Sequence, residues 1–222
     1  MKITEKISIN GKGQVLMAGN CVLENKAIAF KSIEFLKELS EALKVDFIFK
    51  ASYKKDNRSS ERYFSGLPIQ EALKIFDDAK KEFDIPIVTD VHYPTELDEG
   101  VAEVVDVLQV PAYLAMQTEL VLAIAKKGKP VNIKKAQFQH PEDVEKVCRK
   151  IESVGNQSIL LTERGTCFGY RDLVVDPRSF HIMKSLGYPV FFDAGHSIRK
   201  YGIPSSDPAG GTKQFLQTMM SA

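Results

Sequence analysis

Apolar residues cluster in seven short runs along the chain, and each run leads into polar or ionisable residues. The runs read QVLMAGNC, FIFKAS, PIVTDVH, VLQVPA, VNIKKA, ILLTER and VFFDAGH. They lack the alternation of apolar and polar positions that a half-exposed strand shows, which is typical of parallel strands covered by helices on both faces. Amphipathic segments of helical period lie between most of them. The pattern predicts an α/β fold of the (β/α) barrel type.

The segments between the runs predict the helices of such a barrel. Apolar residues recur at helical spacing over 24–43, and again over 69–83 after Pro68. Shorter helices are predicted over 94–103, 117–127, 140–154 and 177–186. At the start of the chain, two β-prone runs around Asn10-Gly11 predict a short N-terminal β-hairpin that caps the floor of the barrel.

The number of runs is one short of a complete barrel. A TIM (β/α)8 barrel has eight strands and typically ~250 residues, whereas this sequence has 222 residues and seven runs. We therefore expect a single barrel domain over residues 1–222 that is incomplete at its C-terminus, with unpaired edges on its first and seventh strands.

Composition directs the search for function toward a built site. The formal charge of +1 gives no large sequence-independent attraction to nucleic acid or to an acidic membrane. No stretch approaches ~18 consecutive apolar residues, and MKITEKISING lacks the apolar core of a secretory signal, so we expect a cytoplasmic protein. Three cysteines without a CxxC pair favour thiols or a metal ligand over a disulfide framework.

The polar ends of the runs are expected to converge, because the strands of a parallel barrel all open onto one rim at their C-terminal ends. In the loop FKASYKKDNRSS an arginine followed by two hydroxyls suits a phosphate, although the loop can also be read as a solvated basic segment. Such a concentration of cations predicts a substrate with more than one anionic group, with Asp90, Glu163 or Asp193 neutralising some of them. The cations are Lys50, Lys55, Arg58, Lys134 and Arg164.

Cys21 and His196 end the first and seventh runs, and both of these strands would flank the eighth strand of a closed barrel. A thiolate and an imidazole with two further donors suit zinc or an iron-type divalent ion. The alternatives are a small buried cysteine and a hydrogen-bonded structural histidine. On the third run, Asp90 and His92 can serve as acid–base or orienting groups.

From about Gln14 to Gln214 the chain resembles the 3-deoxy-D-manno-octulosonate 8-phosphate synthases. It carries AGNCVLE, FKASYKKDNRSS, TDVHYP, LQVPAYLAMQT, NIKKAQF, ERGTCFGY, VVD, FDAGHS and AGG. The resemblance implies a (β/α)8 barrel, usually a homotetramer. It also implies a reaction, the condensation of phosphoenolpyruvate with D-arabinose 5-phosphate and water in lipopolysaccharide synthesis, with release of inorganic phosphate.

The resemblance divides the candidate residues among the two substrates and the reacting centre. Those for phosphoenolpyruvate are Lys50 and Lys55 near its carboxylate, and Lys134, Arg164 and the backbone near Ala112 at its phosphate. Those for arabinose 5-phosphate, partly across a subunit boundary, are Asn57, Arg58 and Ser59. Those at the reacting centre are Asp90, His92 and Gln109.

The family has a metal-dependent and a metal-independent branch, and the independent branch has Asn at the position of Cys21. Cys21 therefore implies a divalent metal such as zinc, iron or manganese, with His196 as a second ligand. The chain departs from the family at Met116, where an Arg is usual, and no residues match the family's remaining Glu and Asp ligands. Two alternatives stay open: the related 3-deoxy-heptulosonate phosphate synthase, against which FKASYKKDNRSS argues, and a truncated, non-catalytic binder of phosphate ligands.

Overall fold

A parallel sheet of seven strands forms the centre of the computed structural model, which describes residues 1–9, 13–58, 60–169, 172–200, 203 and 213–221. Each strand pairs with the next in chain order, and the loops after the first and last strands approach each other, because Cys21 and His196 share a hydrogen bond. The sheet is therefore an open, curled part of a (β/α) barrel, as predicted. Its strands are β1 (Val15–Ala18), β2 (Asp46–Lys50), β3 (Ile87–Asp90), β4 (Val107–Val110), β5 (Val131–Lys134), β6 (Ile159–Glu163) and β9 (Val190–Phe192).

Helices connect these strands close to the predicted positions. They are α1 (Lys26–Leu43), α2 (Ile69–Phe83), α3 (Val101–Val104), α4 (Thr118–Lys126), α5 (Val144–Glu152), α6 (Arg178–Ser185), α7 (Ala194–Ser197) and α8 (Leu216–Ser221). Short 3-10 turns precede α3, α4, α5 and α8 at Pro94–Glu99, Ala112–Leu114, Pro141–Asp143 and Lys213–Phe215. No helix within the described ranges is both long enough and apolar enough to cross a bilayer.

Two local predictions differ from the structure. The single helix expected over 94–103 is divided, because Gly100 adopts a left-handed conformation with φ of 94° between the 3-10 turn and α3. The segment after β6 forms a small antiparallel hairpin, β7 (Thr166–Phe168) and β8 (Asp172–Val174), which the sequence pattern does not predict. This hairpin lies outside the main sheet.

The predicted N-terminal hairpin is present, and the chain reverses between its residues Thr4 and Ile7. Lys2 pairs with Ser8 in antiparallel fashion. The Thr4 hydroxyl accepts a hydrogen bond from the backbone N–H of Ile7 at 3.1 Å, so that the chain reverses between these two residues. The predicted turn at Asn10-Gly11 falls outside the described residues.

The hairpin covers the floor of the barrel with two isoleucines. Ile3 and Ile7 are buried there, and together they form one apolar cluster with inward-facing residues of four strands. Those residues are Ile48, Val88, Val107 and Leu160. The predicted capping role of the hairpin is confirmed.

Inward-facing side chains change from apolar to polar along the direction of the strands. Residues two apart on a strand share a face, so the position after each floor residue on that face is Lys50, Asp90, Gln109 or Thr162. The opposite face of the sheet carries Phe49, Leu108, Ile133 and Leu161, which pack in the main core with residues of the helices. The same strands thus bury an apolar core on one side and deliver polar groups to the C-terminal end of the barrel.

Candidate active site

A cavity of about 830 Å³ opens at the C-terminal ends of the strands. Every site residue predicted from the sequence lines it, except Ser59, which lies outside the described residues. The lining members of that set are Cys21, Lys50, Lys55, Asn57, Arg58, Asp90, His92, Gln109, Ala112, Lys134, Arg164 and His196. The structure therefore brings these residues together, while their individual roles stay predictions.

Asp90 lies at the centre of the cavity and is contacted from several sides. The Ser52 hydroxyl donates a hydrogen bond to its Oδ1, and the Lys50 Nζ lies 3.3 Å from the same atom. Its Oδ2 lies 3.7 Å from the Lys55 Nζ and 3.4 Å from the His92 Nε2. One buried carboxylate thus holds two ammonium groups and an imidazole in fixed positions.

This cluster shifts the protonation of its members. Burial opposes ionisation of Asp90, but the charges of Lys50 and Lys55 outweigh it and hold the pKa of Asp90 well below its ordinary value. Burial lowers the pKa of Lys55, and the neighbouring charge of Lys50 adds to this, so that the pKa falls to about 8 despite Asp90. Lys55 is therefore an ammonium group that can exchange its proton near neutral pH.

A second cluster joins Lys134 to the loop after β9. The Lys134 ammonium donates to Asp193 Oδ2 and lies 3.5 Å from the His196 Nδ1. The same carboxylate oxygen is 2.8 Å from His196 Nδ1, and Asp193 Oδ1 accepts from the His196 backbone N–H at 2.9 Å. Asp193 thereby orients both the ammonium and the imidazole.

Cys21 and His196 meet at the edge of this cluster, as predicted. Cys21 follows β1 by three residues rather than ending it, and His196 lies on α7. Although partial burial opposes ionisation of the thiol, the hydrogen bond to His196 and the charge of Lys55 lower the pKa of Cys21 to about 6. Cys21 still has an exposed surface, since it faces the open cavity.

A thiolate and a histidine held by a carboxylate are donors that zinc and iron-type ions favour. Cys21 and His196 therefore fit as two ligands of a divalent ion, with Asp193 orienting the imidazole through its Nδ1. Within the described part of the chain, no group of three or more His, Cys, Asp or Glu side chains can hold a metal. The pair is thus a partial ligand set that needs further donors.

Gln109 belongs to a buried polar network that the sequence analysis did not identify. Its Nε2 donates to Asn132 Oδ1 at 2.8 Å, and Asn132 Nδ2 donates to Thr162 Oγ1 at 2.8 Å. All three side chains are buried. The signal was present in the spacing, because Asn132 lies two residues before Lys134 and so shares its inward face.

Glu96 is a second residue that the sequence analysis missed. Its Oε2 accepts hydrogen bonds from the Tyr53 hydroxyl at 2.6 Å and from the His92 backbone N–H at 2.7 Å. Glu96 is buried in the turn that follows β3. It fixes the backbone that presents His92 to the cavity.

The loop after β2 is held in place at its base. Lys54 pairs with Gly66 as an antiparallel bridge, and the Leu67 N–H donates to the Tyr53 carbonyl at 3.0 Å. Gly66 has φ of 126°, and a Cβ there would lie 2.1 Å from the Tyr53 carbonyl oxygen. The loop directs Arg58 to the cavity, where its Nε donates to the Phe64 carbonyl at 3.0 Å.

The balance of charge in the cavity is positive, as predicted. Lys50 and Lys55 share Asp90, Lys134 contacts Asp193, and Glu163 contacts Lys135, which does not line the cavity. More of the cations are paired than expected, but two carboxylates serve three lysines. Arg199 and Lys200 add further positive groups to the lining. The cavity is built for a ligand with several negative charges.

Comparison with known proteins gives consistent results. The sequence model described as the DAHP synthetase I family matches residues 1–220. The 2-dehydro-3-deoxyphosphooctonate aldolase of Francisella tularensis subsp. holarctica (strain LVS) is 46% identical over 222 residues, which are 100% of this chain and 80% of the relative. A relative of the same name in Dichelobacter nodosus (strain VCS1703A) is 44% identical over 100% of this chain and 79% of its own length. Another, in Hahella chejuensis (strain KCTC 2396), is 43% identical over 96% of this chain and 75% of its own length.

Proposed function

The chain belongs to the DAHP synthetase I family, and we propose that it condenses phosphoenolpyruvate with D-arabinose 5-phosphate and water. The products are 3-deoxy-D-manno-octulosonate 8-phosphate and inorganic phosphate. The relatives named 2-dehydro-3-deoxyphosphooctonate aldolase match nearly the whole chain at 43–46% identity. This is a synthetic, aldol-type transfer, and the chain is an enzyme of that class.

The observation that carries this proposal is a cation-rich cavity at the C-terminal rim. Both substrates carry a phosphate and one also carries a carboxylate, so the reaction brings several negative charges together. Lys50, Lys55, Lys134, Arg164 and Arg58 line that one cavity. Charge-assisted hydrogen bonds to carboxylate and phosphate oxygens are stronger than neutral ones, and positive groups around the ligand stabilise the charge that moves during the reaction.

The chain's own residues divide the work by position. Lys50 and Lys55 bind the carboxylate region of phosphoenolpyruvate, while Lys134, Arg164 and the backbone near Ala112 bind its phosphate. The loop residues Asn57, Arg58 and Ser59 bind the sugar phosphate. These assignments leave the reacting carbons between the two groups, over Asp90, His92 and Gln109.

In the reaction, the C2–C3 double bond of phosphoenolpyruvate opens as C3 bonds to the aldehyde carbon of the sugar. Water adds at C2 and gives one proton back to Lys55, and the C2 phosphate leaves with the second proton of that water as the C2 ketone forms. Asp90 holds Lys50 and Lys55 in place for this step. Lys55 can deliver a proton to the aldehyde oxygen as it becomes an alcohol, since its pKa is lowered to about 8 by burial and Lys50. The Gln109 amide, fixed by Asn132, positions the substrates from below.

Cys21 and His196 bind a divalent metal such as zinc, iron or manganese in this proposal. The lowered thiol pKa and the orientation of His196 by Asp193 support it. A metal bound there supplies Lewis-acid polarisation that orients the water or the aldehyde.

The assembly and the compartment are also part of the proposal. We place the chain in a homotetramer in the cytoplasm. Exposed apolar side chains near the rim support association, among them Met116, Phe138 and Phe168, which are 48%, 64% and 75% exposed. Cys21, Cys148 and Cys167 are free thiols, which suits a reducing compartment.

Turnover with matched sugars tests the function. The chain is incubated with phosphoenolpyruvate and either D-arabinose 5-phosphate or a four-carbon aldose phosphate, with divalent metal added. Phosphate release is measured, and the mass of the sugar product is determined by mass spectrometry. We expect an eight-carbon product and much slower reaction with the four-carbon sugar. Preference for the four-carbon sugar would identify a heptulosonate phosphate synthase, and binding without turnover would identify a non-catalytic binder.

A further inference from the structure

Lys134 and Lys135 are adjacent in the sequence, but their side chains lie in different environments. Lys134 ends β5 and lines the cavity. Lys135 is the first residue after β5, and none of its surface is exposed. Within the described residues Lys135 is not part of the cavity lining. A fully buried ammonium that does not line the substrate cavity needs a separate explanation, because burial of a charge is costly unless it is well compensated.

The Lys135 ammonium is surrounded by five acceptors, three of which lie at the end of β6 or just after it. Its Nζ lies 3.0 Å from Thr166 Oγ1, 3.4 Å from the Gly165 carbonyl and 3.5 Å from Glu163 Oε1. Further carbonyl contacts come from Ala136 at 3.4 Å and Gln139 at 3.5 Å. The ammonium therefore joins the end of β5 to the turn between β6 and β7.

Glu163 completes this arrangement from the other side. Its Oε1 accepts hydrogen bonds from the backbone N–H of Arg164 at 2.9 Å and of Gly165 at 2.6 Å. Gly165 has φ of 91°, and a Cβ there would lie 3.2 Å from Leu173 Cβ. The chain thus turns sharply after Arg164. The Glu163 carboxylate holds the backbone N–H groups of Arg164 and Gly165, and the Lys135 ammonium contacts the Gly165 carbonyl.

We infer that Lys135 and Glu163 are positioning residues that hold the backbone of Arg164 so that its guanidinium meets the phosphate of phosphoenolpyruvate. This inference rests on the proposed function, which assigns that phosphate to Arg164. Neither residue touches substrate. They act through the turn, and a shift of about 1 Å in a substrate-binding group is enough to cost a large factor in rate. A pair that served only general stability would affect both substrates alike.

Two double variants separate the backbone acceptor from the ion pair. Lys135→Met with Glu163→Gln removes both charges but keeps a carbonyl oxygen for the two backbone N–H groups. Lys135→Met with Glu163→Met removes the same charges and also the acceptor. We expect the second variant to raise the KM for phosphoenolpyruvate by about tenfold or more. The KM for arabinose 5-phosphate is expected to stay within about twofold in both variants. The Gln variant is expected to raise the phosphoenolpyruvate KM by less, about threefold, because it loses the Lys135 contacts but keeps an acceptor for the two backbone N–H groups.

A milder pair of variants keeps the test decisive if a double variant does not fold. Thr166→Val removes the closest acceptor of the Lys135 ammonium, at 3.0 Å. Thr118→Val is the matched control, since Thr118 accepts from Lys150 at 2.7 Å on the surface, outside the cavity lining. Loss of one such hydrogen bond is expected to raise the phosphoenolpyruvate KM about threefold in Thr166→Val and to leave it unchanged in Thr118→Val.

The outcomes separate this inference from the proposed function. If the wild-type chain does not turn over the two substrates, the proposed function fails and the inference fails with it. If the wild-type chain is active, an equal rise in both KM values, identical behaviour of the Gln and Met variants, or an unchanged phosphoenolpyruvate KM in Thr166→Val would overturn the inference alone.

Discussion

Replacing Asp90 with Asn is the most informative single change in the cavity. Asp90 is the carboxylate that Lys50 and Lys55 share, at 3.3 and 3.7 Å. Asparagine keeps the shape and an acceptor for the Ser52 hydroxyl but removes the negative charge. In the substrate-free protein, two largely buried ammonium groups then lose their common partner.

The expected loss of stability follows from the burial of the three groups. The side chains of Asp90, Lys50 and Lys55 are 6%, 14% and 11% exposed. Removing one partner of a buried ion pair typically costs 3–5 kcal/mol, and because the lysines retain some exposure we expect about 3 kcal/mol. Phosphoenolpyruvate brings negative charge to the same ammonium groups, so it should stabilise the variant more than the wild type. A ligand present at a hundred times its Kd raises the free energy of unfolding by about 2.7 kcal/mol.

The loss should depend on pH in a defined direction. The pKa of Lys55 is already lowered to about 8 in the folded protein by burial and Lys50, against an ordinary value of 10.5. Between these values the unfolded chain binds more protons than the folded chain, so stability rises with pH. Asp90 raises the pKa of Lys55, and its removal extends this window to lower pH. The deficit of the variant is thus fully present below the further lowered pKa that Lys55 has in the variant, shrinks as pH rises toward about 8, and is constant above that value.

Urea unfolding at pH 6.5, 8 and 9.5, with and without phosphoenolpyruvate, measures both effects. Asp78→Asn is the matched control, because Asp78 pairs with Lys26 at 2.8 Å on the surface. An exposed pair of this kind contributes about 1 kcal/mol or less. A deficit in Asp90→Asn that is independent of pH, or one that phosphoenolpyruvate does not reduce beyond its effect on wild type, would refute the reasoning.

Three further changes test other parts of the site. Arg58→Ala should raise the KM for arabinose 5-phosphate at least about tenfold more than that for phosphoenolpyruvate, with little rescue in Arg58→Lys, because a lysine does not reproduce the guanidinium fork; steady-state kinetics with equal effects on both substrates would contradict this. If Cys21 and His196 bind a metal, a chelator should abolish turnover and added divalent ions should restore it. Full activity of a protein that elemental analysis shows to be metal-free would contradict this. Asn132→Leu leaves the Gln109 amide without its buried acceptor at 2.8 Å and should lower kcat more than stability alone explains; unchanged kcat would rule out a positioning role.

The sequence predicted the strands and their polar ends well because burial on both faces imposes an unbroken apolar run. Each predicted run matches an observed strand to within one residue at its start, and α2 begins and ends where the periodicity did. The helix over 94–103 was wrong in its continuity, since a spacing rule does not reveal that Gly100 takes φ of 94°. The β7–β8 hairpin was missed because its strands are three residues each, too short to show a period.

The site was predictable where residues follow a strand, and less so where they act through others. Lys50, Asp90 and Lys134 were identified from strand ends alone. Asn132 was overlooked because a polar residue inside an apolar run gives no sign of its partner, which lies on a neighbouring strand. Lys135 stands beside Lys134 in the motif NIKKAQF. Only the structure shows that Lys135 is fully buried and that it lies apart from the cavity that Lys134 lines.

The floor of the barrel has a consequence for the order of folding. Ile7 belongs to the hairpin of residues 1–9, yet its partners extend through the chain to Leu160. Contacts between residues so distant in sequence form slowly, because a long loop must close before they yield any energy. The hairpin therefore docks after the strands have assembled, and interactions that form late act mainly on the rate of unfolding. Closing the floor prolongs the lifetime of the assembled sheet rather than hastening its formation.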